Sequence, residues 1–111
     1  MSGITTHVLD TAAGRPAGGL NVRLECSGAG GWSECGAGTT DPDGRLRTLL
    51  PGPPAPGLYR ITFDTGDYFK AAGKSCFYPH VSVMFEVTDA AQHYHVPLLL
   101  SPFGYSTYRG S

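Results

Sequence analysis

Glycine and proline punctuate this chain from end to end, and that constrains its fold more than any other feature. Together they supply 25 of 111 residues (16 plus 9), scattered without a period between short apolar and β-branched runs. Such a pattern suits an all-β sandwich of short strands joined by turns. Strands are expected over residues 4–9, 20–26, 32–39, 45–48, 58–64, 80–87, 93–100 and 104–108. Eight strands of this kind fit two packed sheets.

The connections carry recognisable turn chemistry. Asp41-Pro42-Asp43-Gly44 has proline at the second turn position and glycine at the last, as a type I turn prefers, so Arg45 leaves that turn in a fixed direction. The stretch from Gly52 to Gly57, with three prolines, pairs with nothing regular and reads as a stiff loop. Gly28-Ala29-Gly30-Gly31 is followed by no helix, so it is a hairpin loop and not a phosphate cradle. One short helix is predicted over Asp67 to Gly73, with Tyr68, Phe69 and Ala72 on one face, Thr65 or Asp67 as its cap and Gly73 as its terminator.

A chain of 111 residues has room for one domain, residues 1–111, which buries only about two thirds of its unfolded surface. An oligomer would add to so modest a core. Eight basic and nine acidic residues give a net charge of −1, with no basic stripe, which argues against nucleic acid and anionic membrane as partners. The apolar run Val96 to Leu100 contains Pro97 and is too short to span a bilayer. The opening MSGITTHVLD lacks the charged start and apolar stretch of a signal peptide, so a cytoplasmic location is expected. Cys26, Cys35 and Cys76 match neither a thioredoxin-like pair nor a zinc knuckle and read as reduced, structural thiols. A Cys26–Cys35 bridge across a hairpin is the alternative in an exported protein.

Chemistry must come from side chains that the alternation of strands places together. In the first strand Ile4, Thr6 and Val8 share one face, and Thr5, His7 and Leu9 the other. In the last long strand His93, His95 and Pro97 oppose Tyr94, Val96 and Leu98. The pair His93 and His95 invites a metal, but no third ligand lies at a known zinc spacing, so no metal and no cofactor is expected. The nucleophile elbow G-x-S-x-G is absent, and Ser101 before Pro102 is turn chemistry. Taken singly, a strand histidine is most often a surface or hydrogen-bonded core residue, Arg45 a solvated turn residue and Tyr108 an interface aromatic. From composition and spacing alone, the chain is a soluble β-sandwich with titratable histidines.

Longer strings say more. Thr5-Thr6-His7-Val8-Leu9-Asp10, Thr40-Asp41-Pro42-Asp43-Gly44-Arg45 and the ending from His93 through Leu99-Leu100-Ser101-Pro102 to Tyr108-Arg109-Gly110-Ser111 resemble the signature of the transthyretin-related family. The resemblance extends over essentially the whole chain. The family includes a hormone carrier and hydrolases. The carrier shares the fold and the Leu-Leu-Ser-Pro stretch but lacks the hydrolases' histidines, arginine and terminal tetrapeptide, all of which this sequence keeps. The resemblance therefore implies a transthyretin-like eight-stranded sandwich with one short helix, edge-paired dimers, and a homotetramer whose active sites line a central channel. It implies hydrolysis of 5-hydroxyisourate to 2-oxo-4-hydroxy-4-carboxy-5-ureidoimidazoline in urate degradation. A non-enzymatic small-molecule carrier on the same scaffold is the alternative.

Opening a ring amide with water needs a base, a donor for the oxyanion and an acid for the leaving nitrogen. The resemblance assigns catalysis to His7, Arg45 and His95, and substrate binding to His7, Arg45, Tyr108 and Ser111. Histidine titrates near neutrality, so one of the pair His7 and His95 can begin as base while the other orients water or donates a proton. Arg45 offers a fork of donors for the carbonyls and helps keep a nearby histidine neutral. Tyr108 combines a phenol donor with an aromatic wall. His93, one pleat from His95 on the same face, is a candidate partner for it, but the turn Asp89-Ala90-Ala91-Gln92 beside it favours a surface position, so it is left out of this group. His80 is assigned to packing at a strand entry.

Overall fold

The computed structural model describes residues 2–111. Along the chain run β1 (Ser2–Asp10), β2 (Arg15–Pro16), β3 (Asn21–Gly28), β4 (Gly31–Thr39), β5 (Arg45–Pro51) and β6 (Gly57–Phe63). The helix α1 (Thr65–Ala71) follows, then β7 (Val81–Val87), β8 (Tyr94–Ser101) and β9 (Gly104–Thr107). Two sheets form: one has the order β2-β1-β8-β9 with β5 also paired to β1, and the other the order β4-β3-β6-β7. No helix among the described residues is long and apolar enough to cross a membrane.

Each expected strand is present, with ends moved by a few residues. β5 continues to Pro51, beyond the expected Thr48, and β8 begins at Tyr94, which leaves His93 just outside it. The added strand β2 pairs Pro16 with Leu9 and Arg15 with Asp10; two residues, one a proline, leave no periodic signal. The helix starts earlier than predicted, and its cap is neither Thr65 nor Asp67. Asp64 is the cap, its carboxylate accepting from the Asp67 amide. Thr65 is instead wholly buried and donates to the Tyr78 carbonyl at 2.6 Å. Phe69 faces the core as expected, whereas Ala72 is exposed at the helix end. Gly73, at φ 71°, ends the helix as foreseen, its amide donating to the Lys70 carbonyl.

Alternation builds the core. Val22 and Leu24 of β3, Ile61 and Phe63 of β6 and Val81 and Val87 of β7 form one buried cluster with Ile4 and Val8 of β1 and Val96, Leu98 and Leu100 of β8. Each such side chain contributes about 1.5–3 kcal/mol when fully buried. Thr6, also core-facing, avoids a desolvation penalty by donating to the Val96 carbonyl at 2.6 Å. Buried Asp10 accepts from the Tyr68 hydroxyl at 2.8 Å, which ties α1 to β1. Burial, helped by that carboxylate, pushes the Tyr68 phenol up to about 12.

Candidate active site

The candidate site begins with the turn before β5. The Gly44 amide bonds the Asp41 carbonyl at 2.8 Å, and the Asp41 carboxylate accepts from the amides of Asp43 and Arg45, each at 2.9 Å. Gly44 has φ 76°, and a Cβ there would lie 2.3 Å from the Val8 carbonyl oxygen. Only glycine meets both conditions. The turn thus presses against β1 and delivers Arg45 directly opposite His7 in the antiparallel β1–β5 register.

β1 and β8 are parallel, with Thr5 opposite His95, Thr6 opposite Val96 and His7 opposite Pro97. Since alternate side chains take opposite faces, Thr6 and Val96 enter the core while Thr5, His7 and His95 share the outer face. There the Thr5 hydroxyl lies 2.8 Å from Nδ1 of His95 and 2.7 Å from Nε2 of His93. His7 Nε2 lies 2.9 Å from the Asp43 carbonyl oxygen. A carbonyl only accepts, so this nitrogen carries a proton, and the free lone pair of a neutral His7 is on Nδ1.

Thr5, Thr6, Arg45, Arg47, His93, His95 and Ser111 line an open pocket of about 370 Å³. Its lining contains two guanidiniums and two imidazoles but no acidic side chain. His95 is held below the ordinary histidine range, first by burial and then by the charges of His93, His7 and Arg45. Both causes disfavour its charged form.

The tail folds back against this group. The Gly110 amide donates to the His95 carbonyl at 2.8 Å, and a Cβ on Gly110 would lie 2.5 Å from Cδ2 of the His95 ring. Arg109 anchors the approach, its guanidinium 4.6 Å from the Tyr94 ring centroid and bonded to Gln92 at 2.8 Å. Ser111 reaches the pocket. Tyr108 does not line it. That exposed ring borders a neighbouring cleft with Phe85, Tyr94 and the other side of His95.

Among the sequence-derived candidates, Arg45, His95 and Ser111 line the pocket, His7 stands beside them on the same face but outside that lining, and Tyr108 borders the neighbouring cleft. Two assignments change. His93, placed outside the site from sequence, lines the pocket and shares the Thr5 hydroxyl. His80 does not pack; it is exposed, 4.0 Å from the Asp64 carboxylate on the other side of the molecule. Among the described residues no group of three or more His, Cys, Asp or Glu is placed to hold a metal ion. The three cysteines are free thiols. Burial, with Cys26 beside it, pushes Cys35 up to about 12.

The profile of the HIUase/Transthyretin family matches residues 4–110. A mouse protein named 5-hydroxyisourate hydrolase is 50% identical over 113 residues, spanning 99% of this chain and 96% of its own. This chain belongs to the HIUase/transthyretin family. Within that family its fold is shared on both sides. The structure of Klebsiella pneumoniae 5-hydroxyisourate hydrolase superposes with a TM-score of 0.87 at 35% identity, covering 97% of this chain and 98% of that one. Sea bream transthyretin in complex with thyroxine superposes with 0.89 at 32% identity, covering 97% and 94%. Backbone similarity alone thus cannot separate the family's branches. The pocket members Thr5 and His93 had a legible signal: each lies two residues before a histidine already singled out, His7 and His95.

Proposed function

We propose that residues 1–111 act as one domain that hydrolyses 5-hydroxyisourate to 2-oxo-4-hydroxy-4-carboxy-5-ureidoimidazoline in urate degradation, with no cofactor. The observation that carries the reading is the gathering of His7, Arg45 and a neutral-biased His95 on one sheet face, in a chain half identical to a named hydrolase. A neutral imidazole accepts the proton of the attacking water. Negative charge then develops on the carbonyl oxygen, where the Arg45 fork supplies fixed donors. An imidazole then donates a proton to the leaving ring nitrogen.

The proposal includes a homotetramer of two edge-paired dimers in the cytoplasm, a location in keeping with free thiols. The pocket of one chain is open, and Tyr108 is 58% exposed at its margin, so a neighbouring subunit would turn an open face into an enclosed site. Size-exclusion chromatography with light scattering tests the assembly. The activity is tested by ultraviolet absorbance of freshly made 5-hydroxyisourate with and without protein. Acceleration of its decay supports the hydrolase; binding without acceleration would make the chain a carrier.

A further inference from the structure

We propose that Thr5 is a positioning residue that relays a proton between His95 and His93, resetting His95 from base to acid within one turnover. It rests on the hydrolase reading above. The geometry is a hydroxyl bridging two imidazoles, 2.8 Å to Nδ1 of His95 and 2.7 Å to Nε2 of His93. Thr5 has no other hydrogen-bonding task among the described residues, unlike Thr6, whose hydroxyl is satisfied by the Val96 carbonyl. Thr5 itself is buried, 5% exposed.

A hydroxyl has one proton. It can donate to only one of the two rings and must accept from the other. If Thr5 donates to His93, then His95 donates through Nδ1–H and its Nε2 is a bare base. If Thr5 donates to His95, then His93 donates through Nε2–H and His95 carries its proton on Nε2. The two imidazoles are thereby locked in opposite senses.

The cycle balances. His95 Nε2 takes a proton from water and becomes an imidazolium. Its Nδ1 proton passes to the Thr5 oxygen while the Thr5 proton passes to His93 Nε2. His95 is left neutral with a proton on Nε2, ready for the leaving nitrogen, and the positive charge has moved to His93. When His95 gives up that Nε2 proton, the His93 proton returns by the reverse transfers. No redox partner is needed. Around His95 stand His7 from β1, Arg45 and Arg47 from β5, and Glu86, Tyr108 and Arg109 on its other side. Burial and the charges of His93, His7 and Arg45 disfavour an imidazolium there, whereas the His93 side chain is exposed to solvent.

The test uses the whole protein and two variants. Thr5→Val keeps the shape and removes the bridge; Thr5→Ser restores a hydroxyl. Steady-state hydrolysis should show kcat lower on the order of 10²-fold in Thr5→Val with KM little changed, and near recovery in Thr5→Ser. Wild-type kcat in Thr5→Val would overturn the relay. Independently of turnover, ¹⁵N-histidine NMR of the wild-type protein reads the tautomers. When His93 is protonated, Thr5 must donate to His95 Nδ1, so the His95 signals should switch to the Nε2–H form. An unchanged His95 tautomer on either side of His93 protonation would overturn the relay even if Thr5→Val failed to fold. Absence of any hydrolysis by wild-type protein would instead end the hydrolase reading.

Discussion

The two outer faces of this sandwich follow the same strand alternation yet treat charge in opposite ways. On the β4-β3-β6-β7 face, groups of opposite sign find one another. Arg60 pairs with Glu25 at 3.0 Å while its guanidinium rests 4.4 Å from the Trp32 ring centroid, and the shallow pocket there mixes Arg23 and His80 with Glu34 and Asp64. On the β1–β8 face, Arg45, Arg47, His93 and His95 gather in a pocket without an acidic side chain. The first face sets a cation beside an anion, whereas the second brings the imidazoles of His93 and His95 and the Arg45 fork to one pocket, where charge that arises during a reaction can be met.

The sharpest way to break this comparison is to remove imidazoles from the convergent face. His7→Ala and His95→Ala should each lower kcat/KM by about 10³-fold, and the double variant should be little worse than either single, because groups acting in one proton-transfer sequence are not additive. Two modest, multiplicative losses would place the histidines in separate tasks. Arg45→Lys comes next. It keeps the charge but not the planar fork, so kcat should fall about 10²-fold or more with circular dichroism unchanged; near wild-type kcat would remove Arg45 from the chemistry.

Gly110→Ala probes the tail's contact with the same ring. A methyl group would fall 2.5 Å from His95 Cδ2, and a ring displaced by even a fraction of an ångström should lower kcat about 10-fold or more. Unchanged kinetics would mean that the ring has room to give. A smaller effect concerns acid stability. His95 has a folded pKa below its unfolded value of 6.5, so the unfolded chain binds the extra proton first. Stability is unaffected above that unfolded value and is lost as pH falls below it, until the folded group protonates too. Denaturant titrations of His95→Gln should show a flatter decline over that window; an identical slope would assign the acid sensitivity elsewhere. The smallest effect belongs to the compensated face. Glu25→Gln should cost about 0.2–1 kcal/mol in urea midpoints and leave hydrolysis untouched. A drop in kcat would show that the faces are coupled.

Local chemistry made most of this fold legible. The Asp41–Gly44 turn, the two-residue Ala29-Gly30 hairpin and the alternation of β1 and β8 all depend on neighbours in sequence, and each is where local rules place it. The helix cap was misplaced because Asp64, Thr65 and Asp67 are all competent caps, and burial of Thr65 against Tyr78 decides among them. At the site, alternation sets Thr5 on one face with His7, and His93 on one face with His95, but does not say which strand lies beside which, and the turn at Asp89–Gln92 favours a surface position for His93. Its role depends on Thr5, 88 residues away, and no local pattern encodes that neighbour. Tyr108 illustrates the converse: the resemblance of the terminal tetrapeptide implies one site for Tyr108 and Ser111, whereas the two residues border different clefts.

The parallel pairing of β1 with β8 also sets when the site can exist. Thr5 and His95 are 90 residues apart, and a pairing of that sequence separation must close a long loop before any contact rewards it, which makes it a slow step. During synthesis the first strand therefore emerges with its central partner still unmade, its pairing edge open to the wrong neighbour. Recovery of hydrolysis after dilution from denaturant would consequently lag behind recovery of β-sheet signal, and the enzyme's own turnover becomes a clock for the last pairing in its folding.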